Sequence, residues 1–208
     1  FSTYKNSIEA SIIVTSAATV DVHNNRFEDL AEHTGVTGEN STGVDIDGAN
    51  TFVRAHINDN FFINPTPSNA LYAPCGISFS TTLAKSGDAV VTGNTFVNFG
   101  RGYVPNVEAC IEVYRDCSRL VIANNTIHNA HSYGIRVNDA SNALIANNTV
   151  HVKESVTTGF AAISYSAFNH TAPLDDPLTD ITITGNTIDN ALGSGLYCAG
   201  APGGLLVG

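Results

Sequence analysis

At 208 residues, 43 % hydrophobic and only 13 % charged, the chain is long and apolar enough to bury one sizeable core, which excludes an intrinsically disordered segment. A formal charge of −10 argues against nucleic acid or an anionic membrane as partner, although Arg101, Arg115, Arg119 and Arg136 gather enough positive charge for a local basic spot. No apolar run approaches the roughly 18–20 residues of a membrane span and no charged-then-apolar leader opens the chain, so a soluble protein is expected.

In chain order, a loose candidate strand at Ser7–Ala10 precedes a motif that then recurs to the end. The motif reads apolar, any, apolar, two residues, Asn, any, apolar, then a gap, then a small residue followed by an apolar one. Its Asn column is Asn25, Asn60, Asn94, Asn125, Asn148 and Asn186. The apolar pairs before it are Val20/Val22, Ala55/Ile57, Ala89/Val91, Leu120/Ile122, Ala143/Ile145 and Ile181/Ile183. Two positions after each Asn stand Phe27, Phe62, Phe96, Ile127, Val150 and Ile188. Residues immediately before the Asn are Asn24, Asp59, Gly93, Asn124, Asn147 and Gly185, types that tolerate the left-handed backbone of a sharp bend. The Asn column therefore marks corners.

After a polar gap of variable length each copy resumes with a small–apolar pair: Gly43-Val44, Gly76-Ile77, Cys110-Ile111, Gly134-Ile135, Ala162-Ile163 and Gly195-Leu196. The reading is two short strands per copy, with the small column leaving room above the second strand. A further insertion runs from about Asn169 to Pro177, and Gly204–Gly208 looks like the apolar start of another copy. Because no Met stands anywhere in the chain, residues 1–208 are expected to be one domain cut from a longer repeat array, its ends lying within coils.

The shortest repeat, Asn125 to Asn148, is 23 residues, a length that fits one coil of a parallel β-helix whose strands stack about 4.8 Å apart. In that arrangement buried Asn columns hydrogen-bond along the stack and the aligned Phe, Ile and Val fill the interior. A β-sandwich also has short recurring strands, but its strands do not repeat one sequence in register.

With these repeats the chain resembles, over residues 20–198, the right-handed parallel β-helix repeat families, a group that includes pectate lyases, polygalacturonases, alginate lyases and epimerases, inulin fructotransferases and phage tailspikes. The expected fold is all-β, a single-stranded right-handed parallel β-helix of about six to seven coils with loop insertions. The resemblance implies an extracellular, polysaccharide-directed protein, with side-by-side packing into a homotrimer among the expectations. It carries no catalytic set across. The Asn-Thr-Asp, Asp-Asp, His-Gly and Arg-Ile-Lys elements of polygalacturonases are missing, and the epimerase pattern Tyr-Gly-Phe-Asp-Pro-His is matched only at Tyr133-Gly134-Ile135.

Outward positions of the second strand supply the candidate site: Asp45 and Asp47, Ser78 and Ser80, Glu112 and Tyr114, Arg136 and Asn138, Ser164 and Ser166, and Tyr197. Glu112 is the leading catalytic candidate. Arg136 in the next coil either orients it and holds it ionised, forms only a surface ion pair with it, or binds an acidic sugar's carboxylate. Asp45 or Asp47, two coils away at about 9.6 Å by strand spacing, is the partner carboxylate, close to the roughly 6.5–9.5 Å of inverting glycosidases. Tyr114, Arg115, Arg101, Tyr103, Asn138, Ser78, Ser164 and Tyr197 are the expected substrate contacts.

Hydrolase or transferase chemistry is placed slightly ahead of lyase or epimerase chemistry. The lyase alternative would use Tyr114, Tyr133 or His131 as base near Arg136, with Ca²⁺ as the cofactor, to which Gly43–Gly48 could contribute; otherwise no cofactor or metal site is expected. A second reading is a non-catalytic glycan-binding or structural β-helix, such as a tailspike shaft or adhesin. Of the four cysteines, Cys75 and Cys110 are candidates for a disulfide and Cys198 for a buried thiol; His128 and His151 read as surface residues. Asn-x-Thr sequons stand at Asn40, Asn124, Asn147 and Asn169.

Overall fold

A computed structural model describes residues 2–5, 10–15, 19–28, 30, 42–46, 54–64, 75–79, 86–100, 109–114, 117–138, 140–153, 161–166, 180–191, 193–199 and 205–208. Each Asn corner separates two strands, because the residue before the Asn takes a left-handed backbone: φ is 54° at Asn24, 55° at Asp59, 56° at Asn124 and 54° at Asn147, with glycines Gly93 and Gly185 at 67° and 63°. A coil thus contains three strands where the sequence pattern suggested two. The apolar alternation continues across so short a corner that the strands on either side of it read as one.

Stacking these coils gives three parallel sheets of seven strands each. The first sheet, before the corner, contains Thr19–His23, Arg54–Asn58, Ser86–Thr92, Cys117–Ala123, Ala143–Ala146, Ile181–Thr184 and Leu205–Val207. The second, after the corner, contains Thr3–Lys5, Arg26–Glu28, Phe61–Ile63, Thr95–Val97, Thr126–Ala130, Thr149–Val152 and Thr187–Asp189. The third contains Ala10–Val14, Thr42–Ile46, Cys75–Phe79, Ile111–Val113, Ile135–Asn138, Ala161–Ser166 and Ser194–Ala199. Leu205–Val207 does begin a further coil, pairing with Ile181–Ile183. The early strand of the third sheet is described over Ala10–Val14; of the expected Ser7–Ala10, residues 7–9 lie outside the described residues.

Every copy of the motif pairs with its neighbour in register, as in Ile57↔Val91 and Val91↔Ile122 of the first sheet. The aligned aromatic position becomes a continuous stack: Tyr4, Phe27, Phe62 and Phe96 lie with centroids 5.1, 4.5 and 4.7 Å apart and planes nearly parallel, and Phe99 meets Phe62 and Phe96 edge-on. Phe27, Phe62, Phe96 and Phe99 are fully buried, and each contributes about 1.5–3 kcal/mol of transfer free energy. Ile127, Val150 and Ile188 continue the column.

The column of small residues opening the third sheet serves this stack rather than the space above the strand. A Cβ on Gly43 would lie 2.6 Å from a ring carbon of Phe62 and 2.7 Å from the Gly76 carbonyl oxygen. One on Gly76 would strike Phe96 and come within 2.6 Å of the Cys110 carbonyl oxygen. At the bend the chain turns these Cα–Cβ bonds inward, so the small residues make room inside. None of the four cysteines forms a disulfide, and Cys75, Cys110 and Cys117 are buried. Cys110 aligns with Gly76, one residue out of register with Cys75, and the Cys75 thiol donates instead to the Ile77 carbonyl at 3.4 Å. The expected Cys75–Cys110 disulfide is absent. Cys198 is half-buried and packs against the core, and His128 is exposed.

Gly76→Ala is expected to lower unfolding stability by about 1–3 kcal/mol through overpacking, whereas Gly195→Ala, whose Cβ meets nothing nearer than 3.7 Å, changes it little. Denaturant melts of the two variants check the contrast; equal losses would contradict the inward direction of the Gly76 position.

Candidate functional site

In the third sheet, residues between the core positions face outward, and the register lines them into one column: Ile13, Asp45, Ser78, Glu112, Arg136, Ser164, Tyr197. The expected neighbours Glu112 and Arg136 are directly paired. Asp45 lies two rungs from Glu112 with Ser78 between them, about 9.6 Å by strand spacing. Two residues further along the strands Tyr114 follows Glu112, and Asn138 pairs with Ser166, whose hydroxyl donates to Asn138 Oδ1 at 2.7 Å. Asp47, Ser80, Arg101, Tyr103 and Arg115 lie outside the described residues, as does the 169–177 insertion.

The middle of this column is not the open polar surface that alternation alone would give. Glu112 is 3 % exposed, and Ser164 and Ser166 are buried, while Tyr114 and Tyr197 at the margins are 42 % and 47 % exposed. Glu112 Oε1 is bound by Arg136 Nη2, and Oε2 accepts the Ala109 backbone N–H at 3.1 Å. The guanidinium of Arg136 lies 5.5 Å from the ring centroids of both Tyr114 and Tyr133, so two aromatic faces flank the cation. Its Nε is buried with no partner. The pair is far from an exposed ion bridge: separating it by truncating one side leaves a buried charge uncompensated.

Burial moves the titration of Glu112 upward. Loss of hydration lifts its carboxyl above the ordinary range, and the Arg136 cation and the Ala109 N–H offset that only in part. The direction runs opposite to the reading in which Arg136 simply holds the carboxylate ionised. Burial also pushes the Tyr133 phenol up.

His131, adjacent in sequence to this cluster, does not join it as a base. It is 4 % exposed and its Nε2 has no partner. Burial, reinforced by the Lys153 charge, brings its pKa down to about 4. Tyr133, which the sequence placed only among the alternative bases, is the residue whose position matters more, and the signal for it was its place directly before Gly134 at the start of the strand carrying Arg136. Among the described residues no group of three or more His, Cys, Asp or Glu gathers to hold a metal.

The coil geometry defines the class as a parallel β-helix with one elaborated face. The chain belongs to the family described as "Right handed beta helix region", whose model matches residues 2–207. No curated protein and no solved structure matches the chain.

For His131 the folded pKa lies below the unfolded value of 6.5, so the unfolded chain takes up the proton first. Its contribution is complete above pH 6.5 and is lost as pH falls towards about 4. The loss reaches at most about 3 kcal/mol. Denaturation of wild type and His131→Leu across this window should give a shallower acid limb in the variant; parallel limbs would contradict a buried neutral imidazole.

Proposed function

We propose that the protein is a carbohydrate-active enzyme that hydrolyses or transfers a glycan bound along the third-sheet face, with Glu112 as general acid and Asp45 as partner carboxylate. The observation that carries this reading is a buried carboxyl with a raised pKa in one outward column with a second carboxylate two rungs away. Two carboxyl groups with unequal environments are what acid–base cleavage of a glycosidic bond requires. Protonated Glu112 would deliver its proton to the leaving oxygen. Asp45 would activate water from the opposite side of the sugar, at a separation suited to inversion. Arg136 positions Glu112, and secretion follows the polymeric substrate.

Base-initiated elimination has less support. An abstracting Tyr is helped by a lowered phenol pKa, and burial moves Tyr133 the other way, while His131 is enclosed. A purely binding β-helix is the second reading. It is favoured by one observation: both oxygens of Glu112 are already engaged, and the group is closed off from solvent.

Incubating the protein with a glycan panel and reading products by mass spectrometry separates the readings. Cleavage or transfer is expected, with turnover falling about 10²- to 10⁴-fold in Glu112→Gln, and with activity declining as pH rises through the raised pKa of Glu112. Binding without product would favour the second reading, an unsaturated product would favour elimination, and unchanged turnover in Glu112→Gln would remove Glu112 from the chemistry.

A further inference from the structure

Among its described residues this face carries few ionisable groups, and its cation is already engaged. Among the described residues of the third sheet, Arg136 is the sole cation and Asp45 and Glu112 are the sole acidic residues. Arg136 is largely buried, its side chain 16 % exposed, and already engaged: Nη2 is on Glu112, Tyr114 and Tyr133 flank the guanidinium, and Nε is sealed from solvent. An anionic sugar would have to compete with Glu112 for a largely buried cation, and it would approach a chain of net charge −10.

What the face does offer outward is aromatic. Tyr114 and Tyr197 are among the exposed large hydrophobic residues, and they bracket the Glu112–Arg136 pair. Tyr197 stands in the same column, with Ser164 between it and Arg136, and Tyr114 stands in the strand direction, two residues beyond Glu112. A tyrosine ring presents an apolar face with a polar rim, which suits a pyranose whose C–H face stacks while its hydroxyls remain hydrogen-bonded.

Resting on the glycan reading above, we infer that this face takes uncharged glycans and that Tyr114 and Tyr197 are its stacking platforms. The Glu112–Arg136 pair then serves chemistry and positioning, and leaves anion recognition to neither residue. Binding is consequently expected to be insensitive to salt, because no exposed cation among the described residues of the sheet is neutralised.

The test uses calorimetric titration of the full chain with an uncharged hexose oligosaccharide series and with a matched series carboxylated at C6, each at low and high salt. The uncharged series is expected to bind independently of salt, and Tyr197→Ala and Tyr114→Ala each weaken it about 3- to 10-fold with unchanged melting temperature. Tighter binding of the carboxylated series, lost at high salt, overturns the inference while leaving the glycan reading intact. Binding of neither series overturns both. Self-association abolished by Tyr197→Ala, with no glycan bound, assigns the rings to a second copy of the chain and likewise overturns the proposal.

Discussion

The asparagine ladder at the corners is the interaction on which the rest of the structure depends. Each member works in both directions along the stack. Asn94 Oδ1 accepts the backbone N–H and the side-chain Nδ2 of Asn60, both at 3.0 Å, while Asn94 Nδ2 donates to the Ile57 carbonyl at 2.8 Å, the Thr92 carbonyl at 3.2 Å and Asn125 Oδ1 at 3.1 Å. The same pattern links Asn25, Asn60, Asn94, Asn125, Asn148 and Asn186. Asn60, Asn94, Asn125 and Asn148 are buried, so water cannot replace these bonds, and the backbone groups at the bend have no other satisfied arrangement. Gln is a methylene too long, and Asp lacks the donor.

This ladder converts a repeat in sequence into a register in space. A strand that slipped by one residue would exchange its core and outward sets, and here the slip would also strand a buried amide. With the register fixed, the Phe stack closes on glycines that admit it, and the opposite side of the third sheet inherits an ordered column. Glu112 and Arg136 meet because Ile111 and Val113 are held against Ile135 and Val137. The core supplies the stability, and the outward column supplies the freedom to place residues the core does not need.

How much of this was legible in the sequence follows from the kind of signal each feature leaves. The Asn column, the left-handed residues before it and the apolar positions repeat, so they identified corners, core and coil order from composition and spacing. The division into three strands was hidden because the apolar pattern runs on through the corner. The small residue before Ile77 or Ile135 was read as outward by simple alternation, and only the bend shows that its Cβ direction is inward. Glu112 could be chosen from its column, but its burial depends on what lies over the sheet and its flanking by Ala109, Arg136 and the tyrosines. Period-two patterning carries no information about that. The role of Tyr133 beside Arg136 is likewise a property of a turn and not of a repeat.

The ladder is tested most directly by comparing two adjacent residues. Asn125 is in the ladder and buried, whereas Asn124 is exposed at the left-handed corner position. Equilibrium or kinetic denaturation of Asn125→Ala should reveal a loss of about 3 kcal/mol or more, since the N–H and amide of Asn94 and the carbonyls of Val91 and Ala123 lose a partner. Asn124→Ala should cost about 1–2 kcal/mol from its backbone conformation. An Asn125→Ala loss no larger than that of Asn124→Ala would contradict the ladder as the organising constraint.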